Sequence, residues 1–323
     1  MRLDNSLEAA AALLRNAKHI AIVGHVDPDA DTLGSGLGLW WTLRAAKKRA
    51  DIVHDPDTLP RSLAGLPGFE KIKRAVPPTA DLIVSLDCAA YDRIGVMLPG
   101  EVALLNCDHH RSNTGYGTVD LVDPEAVCTA QVLMPLLARA GFAVPKEAAV
   151  CFYAALVSDS GFFGYEGVDE TTFVFAGELV RLGADPAGVA RLLRERQPLA
   201  KVRILAEALK TLRLFLEGRV AGMEVTLKML AHTGATPADL DGVVEHARSL
   251  ATVEVGFLLR ENRDGSTKIS LRSKTLDVGR VAAELGGGGH ARAAGATLPQ
   301  SIETARERVL KILEGRLRRE GVL

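Results

Sequence analysis

The sequence has few of the residues that mark several common classes of protein. It has four cysteines among 323 residues, none in C-x-x-C spacing, and its first residues lack the apolar core of a secretion signal. We therefore expect a reduced protein in the cytoplasm. No apolar run approaches the length that spans a bilayer, which argues against a membrane protein.

Strong charge and abundant aromatic side chains are also lacking. The formal net charge is -1, and aromatic residues make up 5% of the chain. Proteins that hold long duplex or single-stranded nucleic acid use a basic surface or a row of stacking rings, so neither ligand is expected. Hydrophobic residues at 47% and charged residues at 24% are ordinary for a folded globular protein.

Three short apolar runs predict buried parallel strands, because each is continuous and bounded by polar or turn residues. They cover residues 19–23, 82–86 and 102–105. Helical patterns alternate with them, so residues 1–193 are predicted to form an α/β domain, a parallel sheet with helices on both faces. The length of the chain favours a second domain.

The pattern changes in the last third of the chain. Residues 194–216 are charged and periodic, which predicts a helical connector, and residues 217–323 predict a smaller α+β domain. A hairpin is expected around the turn at residues 261–265. On its second strand, the two-residue period points Ile269 and Leu271 to the core. The opposite, polar face is then shared by Lys268, Ser270 and Arg272.

Acidic and histidine side chains form four separate patches, three of which follow the predicted strands. The carboxyl ends of parallel strands meet at one sheet edge, so these patches are expected to share a crevice. A single loop aspartate is more often a helix cap than a ligand, but the combination favours a metal site. Oxygen-rich sets with a minority of imidazoles suit two Mn²⁺ or Mg²⁺ ions, with manganese favoured. The patches are His25, Asp29 and Asp31; Asp87; Asp108, His109 and His110; and Asp159.

The consecutive Asp108, His109 and His110 can have different roles in one site, because neighbouring side chains at a strand end point apart. One imidazole is expected to bind metal while the other faces substrate. Asp108 is expected to orient an imidazole from behind. For adjacent histidines taken alone, a solvated loop is the alternative.

Two glycine-rich segments need separate explanations. Residues 34–38 lack G-x-G-x-x-G spacing, so they predict close helix packing, with Asp31 or Thr32 as the helix cap. Residues 286–290 predict an anion-binding nest of backbone N–H groups ahead of a histidine. Arg272 and Lys274 would complete a phosphate pocket there, and a loop that ends a helix is the alternative.

Several segments, in this order, resemble the DHH phosphoesterase family and its DHHA1 companion domain. They are GHVDPDADTLGS at 24–35, DHHRSN at 108–113, SDS at 158–160, SLRSK at 270–274 and GGGGH at 286–290. The resemblance covers nearly the whole chain. Within the family it points to bacterial oligoribonucleases that also act as 3'-phosphoadenosine 5'-phosphate (PAP) phosphatases.

The resemblance implies a role for each site residue. One metal would be held by His25, Asp29 and Asp87, and the second by Asp31, Asp87, His109 and Asp159. Asp87 would bridge the two metals, and His110 would contact the scissile phosphate. The catalytic set is then Asp87, Asp108 and His110. The far end of the substrate, in a cleft between the two domains, would be bound by Arg272, Ser273, Gly288, Gly289 and His290.

Three positions depart from the pattern expected of the family. Asp27 stands where Asn is common, Ala30 where Gly is common and Gln131 where Glu is common. None removes an expected metal ligand. Asp27 adds a negative charge, which is expected to shift metal affinity or the pH dependence.

The function expected from these features is hydrolysis of short RNA to mononucleotides, with PAP as a second substrate. The alternatives are a phosphodiesterase for linear or cyclic dinucleotides, a single-strand DNA exonuclease, a pyrophosphatase, or a regulator that binds nucleotides without turnover. The complete set of predicted ligands argues against the regulator. Homodimer formation is left open by the sequence.

Overall fold

The computed structural model describes residues 2–195 and 197–323 of the chain. The chain divides into two compact units, Met1–Arg196 and Gln197–Leu323. Within the described residues, no helix combines the length and the apolar character needed to cross a membrane.

The first unit is built on a five-stranded parallel sheet with strand order β2-β1-β3-β4-β5. Its strands are β1 His19–Gly24, β2 Arg49–Ile52, β3 Leu82–Leu86, β4 Ala103–Asp108 and β5 Val119–Val122. Its helices are α1 Arg2–Asn16, α2 Ala30–Ala45, α3 Thr129–Ala140, α4 Lys146–Asp159, α5 Glu170–Arg181 and α6 Pro186–Arg194. The predicted parallel α/β class is confirmed.

The two faces of this sheet are covered differently. Helices α1 to α4 pack on the face that carries Ile20 and Ile22. The opposite face, with Ala21 and Val23, is covered by apolar residues of connecting segments such as Ile94. The helical cover that was expected on both faces is therefore found on one, because the chain between β3 and β4 contains only a short 3-10 helix.

Close packing of α2 against α4 explains the glycines at 34–38. A Cβ atom on Gly34 would lie 2.6 Å from the carbonyl oxygen of Cys151. One on Gly38 would lie 2.2 Å from the Phe152 ring. Helix packing at this segment is confirmed, and it fixes the first turn of α2 beside the sheet edge.

The second unit has a mixed six-stranded sheet with strand order β10-β11-β9-β8-β7-β6. Its strands are β6 Arg213–Phe215, β7 Val220–Val225, β8 Val255–Glu261, β9 Thr267–Ser273, β10 Gly288–Gly289 and β11 Ala293–Leu298. Its helices are α7 Leu199–Lys210, α8 Leu227–Thr233, α9 Val243–Arg248, α10 Val278–Glu284 and α11 Ile302–Arg319. Strands β8 and β9 form the expected hairpin, and Ile269 and Leu271 are fully buried as predicted.

The stretch at 194–216, expected as a connector, contains the end of α6, all of α7 and strand β6. Helix α7 lies in the second unit, where Ile204 and Ala208 are fully buried in an apolar cluster with Met223. Helix α7 packs in the second unit because it has an apolar side to bury, in addition to its charged residues.

Candidate metal centre

Three strands of the first unit end in side chains that can bind metal. His25 directly follows β1, Asp87 directly follows β3, and Asp108 is the last residue of β4. His109 and His110 come next along the chain. Asp87 has a left-handed φ of 53°, a conformation that aspartate tolerates better than most residues. The parallel sheet thus places these groups at one edge.

Two helix ends complete the cluster, since Asp29 and Asp31 lie at the start of α2 and Asp159 is the last residue of α4. The predicted ligands come together in two groups, His25, Asp29 and Asp87, and Asp31, His109 and Asp159. A third, overlapping group joins Asp87 and His109 to His110, and in all three the ligand atoms lie within 4.8 Å of one another. Asp87 Oδ1 lies 3.6 Å from His109 Nε2 and so links the first two groups.

The His109 ring is oriented by the backbone and faces carboxylates. Its Nδ1 lies 3.2 Å from the carbonyl oxygen of Ala126. Its Nε2 lies 3.2 Å from Asp159 Oδ2, 3.6 Å from Asp87 Oδ1 and 3.7 Å from Asp31 Oδ2. This buried nitrogen makes no hydrogen bond of good geometry with any residue that the structure describes. Buried polar atoms are normally satisfied, so His109 Nε2 fits a metal ligand.

His25 is arranged in the same way. Its Nδ1 lies 2.7 Å from the carbonyl oxygen of Val26, and its Nε2 lies 3.5 Å from Asp87 Oδ2. A histidine that binds metal through one nitrogen usually donates from the other to a carbonyl or carboxylate. Both imidazoles therefore have the tautomer-fixing contact that such ligands need.

Asp29 is a helix cap as well as a candidate ligand. Its Oδ1 accepts hydrogen bonds from the backbone N–H groups of Asp31 at 2.9 Å and Thr32 at 3.0 Å. The cap was expected at Asp31 or Thr32. It lies at Asp29 because α2 already begins at Ala30. The cap uses one carboxylate oxygen, which leaves the other for the cluster.

Asp31 is completely buried and held at both oxygens. The Ser35 hydroxyl donates to Oδ1, and the backbone N–H of Thr129 donates to Oδ2, each at 2.8 Å. A carboxylate fixed from behind in this way needs little reorganisation to bind a cation.

The charges of the cluster favour a cation. Burial opposes protonation of both imidazoles, but the neighbouring carboxylates outweigh it and raise the pKa of His25 to about 9 and that of His109 to about 12. Burial and repulsion from Asp87 and Asp159 raise the pKa of Asp31. Burial also acts to raise the pKa of Asp87, but its contacts with His109 and His25 hold it well below its usual value. Crowded carboxylates of this kind are stabilised by positive charge.

His110 is held by Asp108. The Nδ1 atom of His110 lies 2.7 Å from Asp108 Oδ1, and it lies 3.5 Å from Asp87 Oδ1. The other carboxylate oxygen of Asp108 accepts a hydrogen bond of 2.6 Å from Asn113 Nδ2. Asp108 is completely buried and contacts His110, which agrees with the predicted orienting role. Its place in the catalytic set stays a prediction.

In the second unit, the residues expected to bind substrate are largely engaged within the protein. Arg272 Nε donates to Glu245 Oε1 at 2.9 Å. Ser273 is 1% exposed, and its hydroxyl donates to the carbonyl oxygen of Leu276. Substrate contact by the Ser273 side chain is therefore not supported. The two-residue period that buries Ile269 and Leu271 also turns residue 273 to the core.

Lys274 and the glycine segment also bond internally. Lys274 Nζ donates to the carbonyl oxygen of Leu250 at 2.8 Å. The N–H groups of Gly286 and Gly287 donate to carbonyls in the last turn of α10, and His290 N–H donates within its own turn. Gly288–Gly289 pairs with β11 as strand β10. The expected nest of free donors is wrong for these three N–H groups, and a loop that ends a helix describes Gly286 better.

The three positions that depart from the family pattern lie outside the two ligand groups. Asp27 is exposed and has a left-handed φ of 59°. Gln131 accepts a hydrogen bond from the backbone N–H of Val127, and Ala30 is the first residue of α2. Each therefore has a local structural setting.

Sequence reasoning missed the residues that support the ligands, namely Thr32, Ser35 and Asn113. Thr32 and Ser35 lie one and four residues after Asp31, on the first turns of α2. Helical spacing could have indicated Ser35, because residues four apart share a helix face. The contact from Thr32 to Asp87 joins distant parts of the chain, so no local pattern indicates it.

Two family models match the chain. The DHH family, N-terminal domain, matches residues 19–156, and the DHHA1 domain matches residues 219–319. The "Bifunctional oligoribonuclease and PAP phosphatase NrnA" of Thermus thermophilus is 35% identical over 309 residues, which cover 94% of this chain and 92% of that protein. The chain belongs to the DHH phosphoesterase family. It is a metal-dependent hydrolase with a DHHA1 domain.

Two further proteins to which this chain is similar agree with this assignment. The protein of the same name from Bacillus subtilis is 26% identical and covers 90% of this chain and 92% of its own length. An exopolyphosphatase-related protein from Bacteroides fragilis has a crystal structure with a TM-score of 0.88 and 25% identity, covering 97% of this chain and 96% of that one. The DHH and DHHA1 fold therefore extends over nearly the whole chain.

Proposed function

We propose that this enzyme hydrolyses very short RNA to mononucleotides and removes phosphate from PAP. Relatives from Thermus thermophilus and Bacillus subtilis carry names with both activities, and each matches at least 90% of this chain. A net charge of -1 and 5% aromatic residues agree with a small substrate.

The observation that carries the metal-dependent chemistry of this proposal is the environment of His109 Nε2, a buried nitrogen that faces the carboxylates of three aspartates. We assign one divalent cation to His25, Asp29 and Asp87. A second is assigned to Asp31, His109 and Asp159, with Asp87 shared. Oxygen donors with two imidazoles favour Mn²⁺ as the ion.

The residues of the cluster are suited to phosphoester hydrolysis. When bound, two divalent cations polarise a phosphoryl group and supply hydroxide at neutral pH. His25 and His109 keep their Nε2 atoms directed to the cluster. His110, fixed by Asp108 through Nδ1, is assigned to the scissile phosphate, where it stabilises negative charge or protonates the leaving oxygen.

The nucleotide part of the substrate is assigned to Arg272, Gly288, Gly289 and His290. Arg272 supports this assignment best, because a guanidinium binds phosphate through two parallel hydrogen bonds. Its present partner, Glu245, would exchange with the phosphate. A cytoplasmic location and a homodimer also remain predictions.

Product analysis tests the proposed function. End-labelled RNA dinucleotides and pentanucleotides, a long RNA and PAP are incubated with Mn²⁺, Mg²⁺ or chelator. We expect mononucleotides from the short RNAs, AMP from PAP, and no product with chelator. Equal rates on the long RNA would contradict the substrate preference, and hydrolysis of pyrophosphate or a cyclic dinucleotide alone would replace the proposal.

A further inference from the structure

We propose that Thr32 is a positioning residue that fixes the carboxylate of Asp87, the ligand shared by the two proposed cations. The inference rests on the metal binding in the proposed function and is independent of the identity of the substrate. Thr32 does not belong to either ligand group. It acts through Asp87.

The Thr32 hydroxyl has one proton and two carboxylate neighbours. Its Oγ1 lies 2.6 Å from Asp87 Oδ2 and 3.2 Å from Asp29 Oδ1. Asp29 Oδ1 already accepts two backbone N–H groups as the cap of α2. The hydroxyl proton is therefore donated to Asp87, because that contact is shorter and because Asp29 Oδ1 already has two backbone donors. Thr32 is 1% exposed, so water does not compete for it.

This hydrogen bond sets the rotation of the Asp87 carboxylate. The terminal torsion of an aspartate is broad, and packing alone fixes it poorly. With Oδ2 held by Thr32, Oδ1 is directed to His109 Nε2 at 3.6 Å and His110 Nδ1 at 3.5 Å. A carboxylate that must serve two cations needs both oxygens aimed at once. Thr32 provides that constraint at Oδ2, whereas His109 faces Oδ1.

Gly24, the last residue of β1, gives an independent indication that the position of Thr32 matters. A Cβ atom on Gly24 would lie 2.2 Å from Thr32 Cγ2 and 2.9 Å from His54 Cε1. Gly24 is not among the glycines with positive φ in the described residues, so its backbone does not require glycine. Glycine is required by the Thr32 methyl group, the closer contact, together with the His54 ring. The strand end and the helix start are fitted to each other at this point.

The test measures Mn²⁺ affinity without substrate, by electron paramagnetic resonance of the free ion. Thr32→Val keeps the shape and removes the hydroxyl, so we expect binding to weaken about ten- to a hundred-fold. Thr32→Ser keeps the hydroxyl and should stay within about three-fold of the wild type. Thr42→Val is the matched control. Thr42 is also buried on α2, and its hydroxyl bonds to Gly38.

A second pair of variants tests the same geometry from the strand. Gly24→Ala should weaken Mn²⁺ binding, because the new methyl group displaces Thr32. Combining it with Thr32→Ser removes the closer of the two clashes and leaves the approach to His54 Cε1, so the double variant should recover part of the affinity. This pair also keeps the proposal testable if Thr32→Val does not fold, which circular dichroism would show.

The outcomes separate a positioning role from simple stability. Selective loss in Thr32→Val, with retention in Thr32→Ser and Thr42→Val, supports the proposal. Wild-type affinity in Thr32→Val overturns it. An equal loss in Thr32→Ser also overturns it, because the hydroxyl would then not be responsible. An equal loss in Thr42→Val overturns it as well, because the effect would then be a general one on α2. Failure of the RNA assay alone would reject the proposed substrate and leave this result standing.

Discussion

The cluster at the sheet edge of the first unit and the glycine–histidine segment of the second unit use their polar groups in opposite ways. In the cluster, His109 Nε2 is buried without a hydrogen bond of good geometry among the described residues. In the second unit, Arg272 pairs with Glu245, and the N–H groups around Gly286 bond to the backbone. The cluster has a buried donor atom available for a ligand, whereas these polar groups of the second unit are already hydrogen-bonded within the protein.

This difference implies different costs of binding. A cation enters a set of donors that are already aimed and held from behind, so little reorganisation is needed. A phosphate that binds Arg272 must displace Glu245 from its ion pair, so the free energy gained on binding is smaller. We therefore expect changes in the first unit to abolish activity and changes in the second to alter the Michaelis constant.

The largest effect is expected for Asp87→Asn. Asparagine tolerates the left-handed backbone at this position but lacks the charge that the two proposed cations would share. We expect kcat to fall at least about a thousand-fold at saturating Mn²⁺, beyond the loss typical of groups behind a ligand. Asp92→Ala, in the exposed 3-10 helix after the same strand, is the control and should stay active. Wild-type turnover in Asp87→Asn would exclude Asp87 as a shared ligand.

A smaller effect is expected for Arg272→Ala. Loss of a phosphate contact should raise KM for PAP about ten-fold, equal to about 1.4 kcal/mol, with a near-normal kcat. Mn²⁺ affinity should not change. Steady-state kinetics measure both constants, and Arg263→Ala, which changes an exposed arginine of the hairpin turn, is the control. An unchanged KM in Arg272→Ala would remove this residue from the proposed substrate site.

Adjacent glycines of β10 should respond differently to alanine. Gly289 has a φ of 142°, and a Cβ atom there would lie 2.5 Å from Ala294 Cα. Gly289→Ala should therefore lower the free energy of unfolding by about 2 kcal/mol or more. A Cβ atom on Gly288 meets nothing within 4 Å, so Gly288→Ala should be neutral for stability. Urea unfolding of both variants decides this, and equal losses would contradict it.

A pH effect on stability is expected from His54, which is buried near the end of β1. Burial and repulsion from His25 lower the pKa of His54 to about 4. The unfolded chain takes up this proton near pH 6.5, so stability present above that pH is lost as the pH falls towards 4. The contribution of His54 to the free energy of unfolding should decrease by about 2 kcal/mol between pH 7 and pH 5. His54→Gln should reduce that dependence in urea unfolding at the two pH values, and an identical dependence would refute it.

The sequence predicted the central strands and brought out the candidate ligands because both leave local signals. Buried strands such as β3 are continuous apolar runs, and the ligands follow directly after them. Strands β2 and β5 were missed since they lie at the two edges of the sheet and are only partly buried. The contact between Thr32 and Asp87 joins residues 55 positions apart, and only the fold brings them together. The inward direction of Ser273 could have been predicted from the period of its strand.

The most direct test of a prepared two-cation cluster is the stoichiometry of Mn²⁺ binding to the intact chain. Equilibrium dialysis followed by metal analysis should give two Mn²⁺ per wild-type chain. In Asp87→Asn, which lacks the shared charge, it should give fewer than two at the same free concentration. Wild-type protein that binds no Mn²⁺, or an Asp87→Asn variant that binds two as tightly as the wild type, would contradict the account.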